Sequence, residues 1–313
     1  MSTQSNAQFE LESSVISLLK CPSCDAGLSK IPSGLQCDHC GDQFEIQDDV
    51  ILFYRDQSLL DLPSRRAARG EGGEFAGESS ADRYRQTFQR ADIALRYTDS
   101  FKEKPHKRRR TSRELELIRQ LLASQVKARV ILNLPCGGGR LSEPIARRTD
   151  CLIEADSSLA QLLINKNRSD ANTEPRTVWI TASGLNIPIR DSSVDGVVCA
   201  RLSHHLNPEQ RESLLKELLR VARNFVIFSY RDKFSLLTLS RWIRRKPVGH
   251  SLMSQRQIKS IAESLSARLV SNPSVSVLGS RHRYALLYKR EVPVNGSNRT
   301  EYVKYLSKRF PAG

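Results

Sequence analysis

An apolar run that breaks into three glycines constrains the fold of this chain more than any other feature. Residues 130–134 are short and aliphatic, which predicts a buried parallel strand, and Gly137–Gly139 follow it almost at once. Glycines at this point let the chain turn sharply into a helix while a ligand lies against bare backbone. Asp156 ends the next apolar run, residues 151–155, where a carboxylate can accept hydrogen bonds from both hydroxyls of a ribose. The spacing predicts a nucleotide-type pocket.

At these residues the chain resembles the class I S-adenosylmethionine-dependent methyltransferases. Their first motif usually reads Asp-Leu-Gly-Cys-Gly-Thr-Gly, where residues 133–139 read Asn-Leu-Pro-Cys-Gly-Gly-Gly. Gly137 and Gly139 are kept, whereas Asn133 replaces the acidic residue and Pro135 the first glycine. The resemblance implies that this loop and Asp156 bind S-adenosylmethionine, with a weaker electrostatic hold on its methionine end. The competing dinucleotide motif would need a glycine where Ser142 stands.

A longer match covers residues 185–198, which read Leu-Asn-Ile-Pro-Ile-Arg-Asp-Ser-Ser-Val-Asp-Gly-Val-Val. This segment is similar to the loop and fourth strand of the same family, commonly Ala-Leu-Pro-Phe-x-Asp-x-Ser-Phe-Asp-x-Val. In the family, the loop just before this strand lies near the adenine. The resemblance therefore implies that Ser183 and Leu185 bind the cosubstrate there, with Ser183 in place of the usual Asp. Arg201 follows the fourth strand and is expected to join Gly137 and Asp156 at the carboxyl ends of the strands.

The order of the apolar patterns predicts an α/β fold, a Rossmann-like doubly wound sheet with an antiparallel terminal hairpin. Asn207 and Pro208 are expected to begin one crossover helix, because asparagine caps helices and proline suits the first helical position. Strands are predicted at residues 130–134, 151–155, 177–181, within 185–198 and at 225–230, helices at 158–166, from 208 to 221 and at 255–266, and a closing pair at 275–278 with 284–288.

Four cysteines near the N-terminus form two Cys-x-x-Cys pairs, Cys21 with Cys24 and Cys37 with Cys40. Four thiolates on two tight turns suit a tetrahedral, structural zinc ion, whereas the alternative is two fortuitous pairs in a reduced protein. Residues 19–53 resemble the small zinc ribbon of the methyltransferase-activating subunit of translation-modifying enzymes, and a similar ribbon precedes the catalytic domain in some bacterial rRNA guanine methyltransferases. Seven cysteines without an N-terminal signal pattern indicate a reducing, cytoplasmic setting.

Composition divides the chain into a zinc ribbon at residues 1–60, a linker and basic segment at 61–110, a cosubstrate-binding domain at 111–291 and a polar tail at 292–313. The net charge is +15, but residues 1–60 carry −6 and the remainder +21. The acidic ribbon is therefore not expected to bind nucleic acid itself, and it could instead dock on the basic residues 61–313 of the same chain. No apolar run approaches the roughly 18 residues that a membrane-spanning helix needs.

Two basic clusters stand out. Residues 104–113 hold six Lys or Arg directly before a helix that a capping box of Thr111 and Glu114 is expected to open, so they either bind an anion or form a solvated charge run. Residues 233–246 mix four arginines and lysines at 241–246 with Phe, Leu, Trp and Ile side chains, which predicts a basic amphipathic helix after the fifth strand. Its apolar face is expected to pack on the core; covering a lipid-like or anionic substrate, or touching a membrane surface, are the alternatives.

Methyl transfer needs in-line geometry, and hydroxyl or thiol acceptors also need a general base. His204 and His205, just after the fourth strand, are the candidate bases, with a pocket wall as the alternative. The segment 201–205 lacks an Asn/Asp-Pro-Pro-aromatic motif, and this absence disfavours methylation of the exocyclic amine of a nucleobase. The sequence thus predicts a methyltransferase for a small acceptor, anionic or lipid-linked. An RNA methyltransferase and an inactive cofactor-binding or partner-binding protein are the alternatives.

Overall fold

A mixed β-sheet runs through the whole of the computed structural model, which describes residues 13–53, 90–169, 176–245, 252–276 and 280–289. The strands are β1 Leu28–Ile31, β2 Gly34–Cys37, β3 Gln43–Gln47, β4 Val50–Leu52, β5 Ala128–Asn133, β6 Thr149–Asp156, β7 Arg176–Thr181, β8 Val194–Cys199, β9 Ala222–Asp232, β10 Leu252–Met253, β11 Ala267–Ser271 and β12 His282–Lys289. The helices are α1 Ser13–Ile16, α2 Ala91–Glu103, α3 Pro105–Ala123, α4 Ser142–Ala146, α5 Leu159–Lys166, α6 Pro208–Val221, α7 Leu236–Ile243 and α8 Gln255–Ser264, with a 3-10 turn at Ser203–His205.

The strand order confirms the predicted doubly wound α/β fold. The sheet reads β1-β2-β3-β4-β7-β6-β5-β8-β9-β12-β11, and β10 adds to β9. The strands from β7 to β9 are parallel, and β12 is antiparallel to both β9 and β11. The five parallel strands expected from the apolar runs are all present. The central ones are buried along most of their length because helices cover both faces.

The helix boundaries follow from their capping residues where the prediction used them. Asn207 accepts a hydrogen bond from the amide of Gln210, whose side chain in turn accepts one from the Asn207 amide, and Pro208 begins α6. The Ser158 side chain likewise caps α5. Among the described residues, no helix is long and apolar enough to cross a membrane.

One predicted helix boundary is wrong. Helix α3 begins at Pro105, so Thr111 and Glu114 lie inside it and the six basic residues belong to the helix instead of preceding it. A proline at the first helical position needs no amide donor, which is why the helix starts there. The domain boundary proposed at 110/111 thus falls within α3, and α2 occupies part of the predicted linker. The remainder of that linker, residues 61–89, and the tail at 292–313 lie outside the described residues.

The partner strand in the terminal hairpin also differs from the prediction. Strand β12 pairs with β11, from Ala267 opposite Lys289 to Ser271 opposite Leu286. Residues 275–278 were expected in this place, and 277 and 278 lie outside the described residues. Strand β11 follows α8 closely and can pair along its length, whereas Val275 belongs to the connection and donates its amide to the His282 carbonyl at 3.0 Å.

The N-terminal ribbon is continuous with the sheet. Strands β1 to β4 form an antiparallel meander, and β4 then pairs in parallel with β7, with Ile51 opposite Ile180. Because Ile51 is fully buried in the same apolar cluster as Ile180, the ribbon and the α/β half share one core. The dock is therefore intramolecular, as the opposite charges of the two parts suggested.

A second set of contacts joins the ribbon to the loop after β7. The Arg190 amide donates to the Leu18 carbonyl at 2.8 Å, and the Lys20 amide donates to the Pro188 carbonyl at 3.2 Å. The Asn186 side chain donates to the Pro22 carbonyl at 3.0 Å. Residues 186–190 are thus held by backbone of the ribbon on both sides of Leu19.

Truncation of Ile51 should destabilise the whole protein. Ile51→Ala leaves a cavity at the junction of β4 and β7, with an expected loss of about 2 to 5 kcal/mol in the free energy of unfolding. Denaturant titration followed by circular dichroism and by Trp179 fluorescence should show one coincident transition at a lower midpoint. Val126→Ala, at a side chain 89% exposed, is the control and should change the free energy by less than about 0.5 kcal/mol. A ribbon transition separate from that of Trp179 would contradict the shared core.

Candidate active site

A cleft opens at the carboxyl ends of β5, β6, β7 and β8, where ligands of doubly wound sheets bind. Predicted residues that line it are Pro135, Gly137, Asp156, Ser183, Leu185, Arg201 and His205. Gly138, Arg140, Tyr97 and Phe101 line it as well. The sequence prediction therefore placed most of its site residues in one cavity, although they are spread over about 70 positions of the chain.

The glycine loop needs its glycines for two different reasons. Gly137 and Gly139 have φ angles of +55° and +79°, in the left-handed region that favours glycine. A Cβ atom on Gly139 would also lie 2.0 Å from the Asn165 side-chain oxygen, so α5 packs against this position. At Gly137 the nearest heavy atom would be 3.9 Å away, on Gln161, which leaves room for a ligand beside the backbone.

Asp156 holds the glycine loop against the end of β6. Its Oδ2 accepts a hydrogen bond from the Gly137 amide and its Oδ1 accepts one from the Ser158 amide, both at 2.9 Å. Burial raises the pKa of Asp156 to about 6. Each carboxylate oxygen can accept more than one hydrogen bond, so the group can still accept from a hydroxyl in the cleft.

Asn133 was predicted to contact the cosubstrate, but it is not among the residues that line the cleft. Its side chain is buried and donates to Glu154 Oε2 at 2.8 Å, and the two residues are register partners on β5 and β6. Burial raises the pKa of Glu154 to about 7. An aspartate at position 133 would place two carboxyl groups side by side, whereas asparagine supplies a donor. The neighbour Glu154 thus explains the departure of Asn133 from the family motif.

The opposite wall of the cleft comes from the loop after β7. The Leu185 amide donates to Ser183 Oγ at 3.3 Å, which closes a short turn. The Ile187 amide donates to Glu217 Oε2 on α6 at 2.9 Å. Since residues 186–190 are also bonded to the ribbon, Ser183 and Leu185 stand on a loop that is fixed from two sides.

A buried ion cluster forms the floor at the β8 end. The side chain of Glu114 is fully buried. Its carboxylate accepts hydrogen bonds from Arg201 Nη2 at 2.7 Å and from Arg201 Nε at 3.0 Å. Arg140 and the Tyr284 hydroxyl also donate to this carboxylate. Burial alone would raise the pKa of Glu114, but the charges of Arg140 and Arg201 lower it well below its usual value. The carboxylate therefore fixes two cations at the cleft.

The two candidate bases occupy different positions. His205 lines the cleft, whereas His204 does not. The His204 ring packs between His205 and His282, at centroid distances of 4.0 and 5.3 Å. Burial lowers the pKa of His205 to about 4 and that of His204 still further, so both rings are neutral at physiological pH. His204 is thus a neutral support behind His205, and only His205 is placed to meet a ligand.

Comparisons with known proteins agree with this geometry. A family model described as a methyltransferase domain matches residues 131–224. Magnesium protoporphyrin IX methyltransferase (ChlM) from Synechocystis PCC 6803, solved with bound S-adenosylhomocysteine, is 14% identical, with 66% of this chain and 99% of that chain covered and a TM-score of 0.57. The N-methyltransferase NodS from Bradyrhizobium japonicum WM9, in complex with the same molecule, is 14% identical, with 68% and 100% covered and a TM-score of 0.50. No curated protein sequence matches this chain.

The chain has the class I methyltransferase fold. Sequence reasoning missed two contributions to the cleft of this fold. Helix α2 supplies Tyr97 and Phe101 from a segment interpreted as linker, although Ala94, Tyr97 and Phe101 repeat at the spacing of one helix face. Glu114 was interpreted as a cap; its place on the buried face of α3, in line with Leu117 and Leu121, was the available signal for a buried carboxylate.

The predicted helix after β9 is present as α7, but its apolar face does not pack on the core and its residues do not line the cleft. Leu236, Leu239, Trp242 and Ile243 are all exposed. The core-packing expectation is therefore wrong for the described residues 233–245, whereas a cover over the substrate stays a prediction. Lys246 lies outside them.

The four predicted metal ligands lie together in the ribbon. The Sγ atoms of Cys21, Cys24, Cys37 and Cys40 are within 4.8 Å of one another. Two of the separations are 3.6 and 3.4 Å, close to the roughly 3.8 Å between sulfurs bound tetrahedrally to one zinc ion at about 2.3 Å. The amides of Cys40 and His39 donate to Cys37 Sγ and lower the pKa of this thiol to about 6. The donor set fits a closed metal site.

Loss of the buried carboxylate should unfold the β8 end of the cleft. Glu114→Gln leaves two partly buried guanidinium groups without a counter-charge in a fully buried place, and we expect a loss of about 3 to 5 kcal/mol in the free energy of unfolding by denaturant titration. Glu116→Gln on the same helix weakens two exposed contacts, the pair with Arg119 at 4.0 Å and the hydrogen bond from the Gln120 side chain at 2.7 Å, and should cost less than about 1 kcal/mol. Equal losses in the two variants would contradict the account of this cluster.

Proposed function

We propose that this protein transfers the methyl group of S-adenosylmethionine to a small anionic acceptor. The observation that supports this most is the pairing, in one cleft, of a glycine loop held by Asp156 with the two cations Arg140 and Arg201. The family model over residues 131–224 and the fold support the same reaction class.

The cosubstrate end is assigned to the glycine loop and the two strands beside it. Bare backbone at Gly137 would lie against the ligand, and the Asp156 carboxylate would accept from the ribose hydroxyls. Ser183 and Leu185 would bound the adenine, since they line the wall next to Asp156. When bound, S-adenosylmethionine supplies an electrophilic methyl group on a sulfonium. The chain itself supplies position and excludes water.

The acceptor end is assigned to Arg140, Arg201 and His205. Glu114 balances one of the two guanidinium charges, which leaves a net positive charge at this end of the cleft and favours an anion there. A base is most effective when its pKa lies near the working pH, so His205 with a pKa of about 4 is a weak base for a hydroxyl. An acceptor that is already ionised, such as a carboxylate, needs no such base. His205 would then orient the acceptor.

We also propose that the four cysteines of the ribbon bind one structural zinc ion. Their number and spacing close a tetrahedron without an outside ligand, so the metal has no role in the reaction. Its role is to hold the turns at Cys21 and Cys37, from which residues 18–22 reach the loop beside Ser183.

Removal of the Asp156 side chain should weaken cosubstrate binding. Asp156→Ala deletes charge-assisted hydrogen bonds to the ribose, and we expect a loss of about 1.5 to 3 kcal/mol in the binding free energy of S-adenosylhomocysteine by calorimetry. Asp150→Ala is the matched control, because Asp150 lies near the other end of β6 in an exposed pair with Lys127. Equal affinities in the two variants would remove the ribose assignment.

Transfer is tested with S-adenosylmethionine labelled in its methyl group and a cell extract separated into RNA, protein and small molecules. The proposal predicts label on small molecules that an anion exchanger retains before methylation, and at least about tenfold less label with Asp156→Ala at subsaturating cosubstrate. Label on RNA alone, or tight cosubstrate binding without any transfer, would contradict it and favour the alternatives considered from the sequence.

Removal of the metal should also weaken cosubstrate binding, because the ribbon holds residues 186–190 next to Leu185. Purified protein should contain one zinc per chain by mass spectrometry, and chelation should lower the affinity for S-adenosylhomocysteine. Cys151→Ser, outside the cluster, should keep its zinc, whereas Cys40→Ser should lose it. Freely titrating thiols in the native ribbon would contradict the metal site. An unchanged affinity for S-adenosylhomocysteine after chelation would contradict its effect on the cleft.

A further inference from the structure

Helix α7 presents its apolar side chains to solvent. Of the eight large apolar side chains that are exposed in the described ranges, six lie between Phe234 and Ile243. Trp242 and Ile243 are 71% and 67% exposed. Single exposed apolar residues are common on protein surfaces, whereas a contiguous exposed patch marks an interaction surface.

The orientation of α7 is the reverse of an ordinary surface helix. Leu236, Leu239 and Ile243 are spaced i, i+3 and i+7, which places them on one face. Thr238, on the opposite side, is the buried residue of the helix, and its hydroxyl donates to the Asp232 carbonyl at 3.1 Å. The helix is therefore attached to the sheet by its polar side, and its apolar face points away from the protein.

The charged residues along this part of the sequence have one sign. Residues 233–262 contain seven Lys or Arg and no Asp or Glu. Arg241, Arg244 and Arg245 are exposed on the helix or directly after it. The nearest acid before them, Asp232, is buried and pairs with Arg283 at 2.7 Å. A partner for this face must therefore be apolar and negatively charged at once.

We propose that α7 and its flanking arginines, Phe234–Arg245, dock this protein on an anionic lipid bilayer. A short amphipathic helix with Trp, Leu and Ile on one face and arginines beside it lies in the plane of a membrane interface, with its apolar side chains among the acyl chains and its cations at lipid headgroups. The helix follows β9 at the carboxyl edge of the sheet, where the cleft opens, so docking turns this edge toward the bilayer.

Other occupants fit less well. A second copy that met this face through a two-fold axis would bring together two surfaces of the same positive charge, and like charges repel. RNA would match the arginines, but four of the six exposed apolar side chains are aliphatic and offer no ring for bases to stack on.

The test is flotation of the full-length protein with vesicles of phosphatidylcholine alone or mixed with phosphatidylglycerol. Two double variants probe the surface: Leu239→Ser with Ile243→Ser, and Arg244→Glu with Arg245→Glu. We expect wild type to float with the anionic vesicles and each double variant to bind about tenfold more weakly. Thermal unfolding confirms that the variants remain folded.

Matched controls lie at the opposite edge of the sheet. Val126→Ser removes an apolar side chain that is 89% exposed, and Lys127→Glu with Arg147→Glu reverses two exposed charges. Both controls should bind within about twofold of wild type, because distant sites act independently. The fluorescence of Trp242 should shift to the blue on binding, and Trp242→Phe should abolish the shift, since the other tryptophan, Trp179, is buried.

Several results would overturn the proposal. The first is wild-type protein that does not float with anionic vesicles. The second is binding that the charge reversal abolishes and the Leu239→Ser, Ile243→Ser variant does not, because that is electrostatic adsorption without insertion. Sedimentation that shows a dimer in wild type and a monomer in the Leu239→Ser, Ile243→Ser variant would identify a second copy as the occupant. None of these readouts requires methyl transfer, so the result is independent of the proposed reaction.

Discussion

The buried carboxylate of Glu114 is the charge on which the active-site end of the sheet depends. This carboxylate lies on the buried face of α3. It accepts hydrogen bonds from Arg140 after the glycine loop, from Arg201 at the end of β8 and from Tyr284 on β12. A lone carboxylate could not stay ionised in that position, and two unpaired guanidinium groups could not be buried beside it. Each partner is tolerated because the others are present, so the cleft is fixed where these elements meet.

The ribbon is the second constraint, and it acts through backbone hydrogen bonds. Strand β4 lengthens the parallel sheet beyond β7, and residues 18–22 bond to the loop that carries Ser183 and Leu185. The proposed zinc ion at the cysteine cluster would stabilise the turns from which these segments start. The sequence predicts the ribbon as a separate module, but in the structure it holds the loop that forms one wall of the cleft.

The parts of the fold that the sequence predicted well are local in origin. The parallel strands are continuous apolar runs, and Asn207 with Pro208 marks a helix start within four residues. Two of the errors came from long-range pairing. Thr111 and Glu114 match a capping pattern, yet the true partners of Glu114 lie 26, 87 and 170 positions away. Asn133 departs from the family motif because of Glu154 on the next strand, which the motif alone does not reveal.

The most direct test of the account is a crystal structure of the zinc-loaded protein grown with S-adenosylhomocysteine. The account predicts the ribose hydroxyls within hydrogen-bonding distance of the Asp156 carboxylate, the adenine beside Ser183 and Leu185, and the sulfur directed to Arg201 and His205. A ligand bound elsewhere, or an adenosine group that leaves Asp156 without a contact, would contradict it.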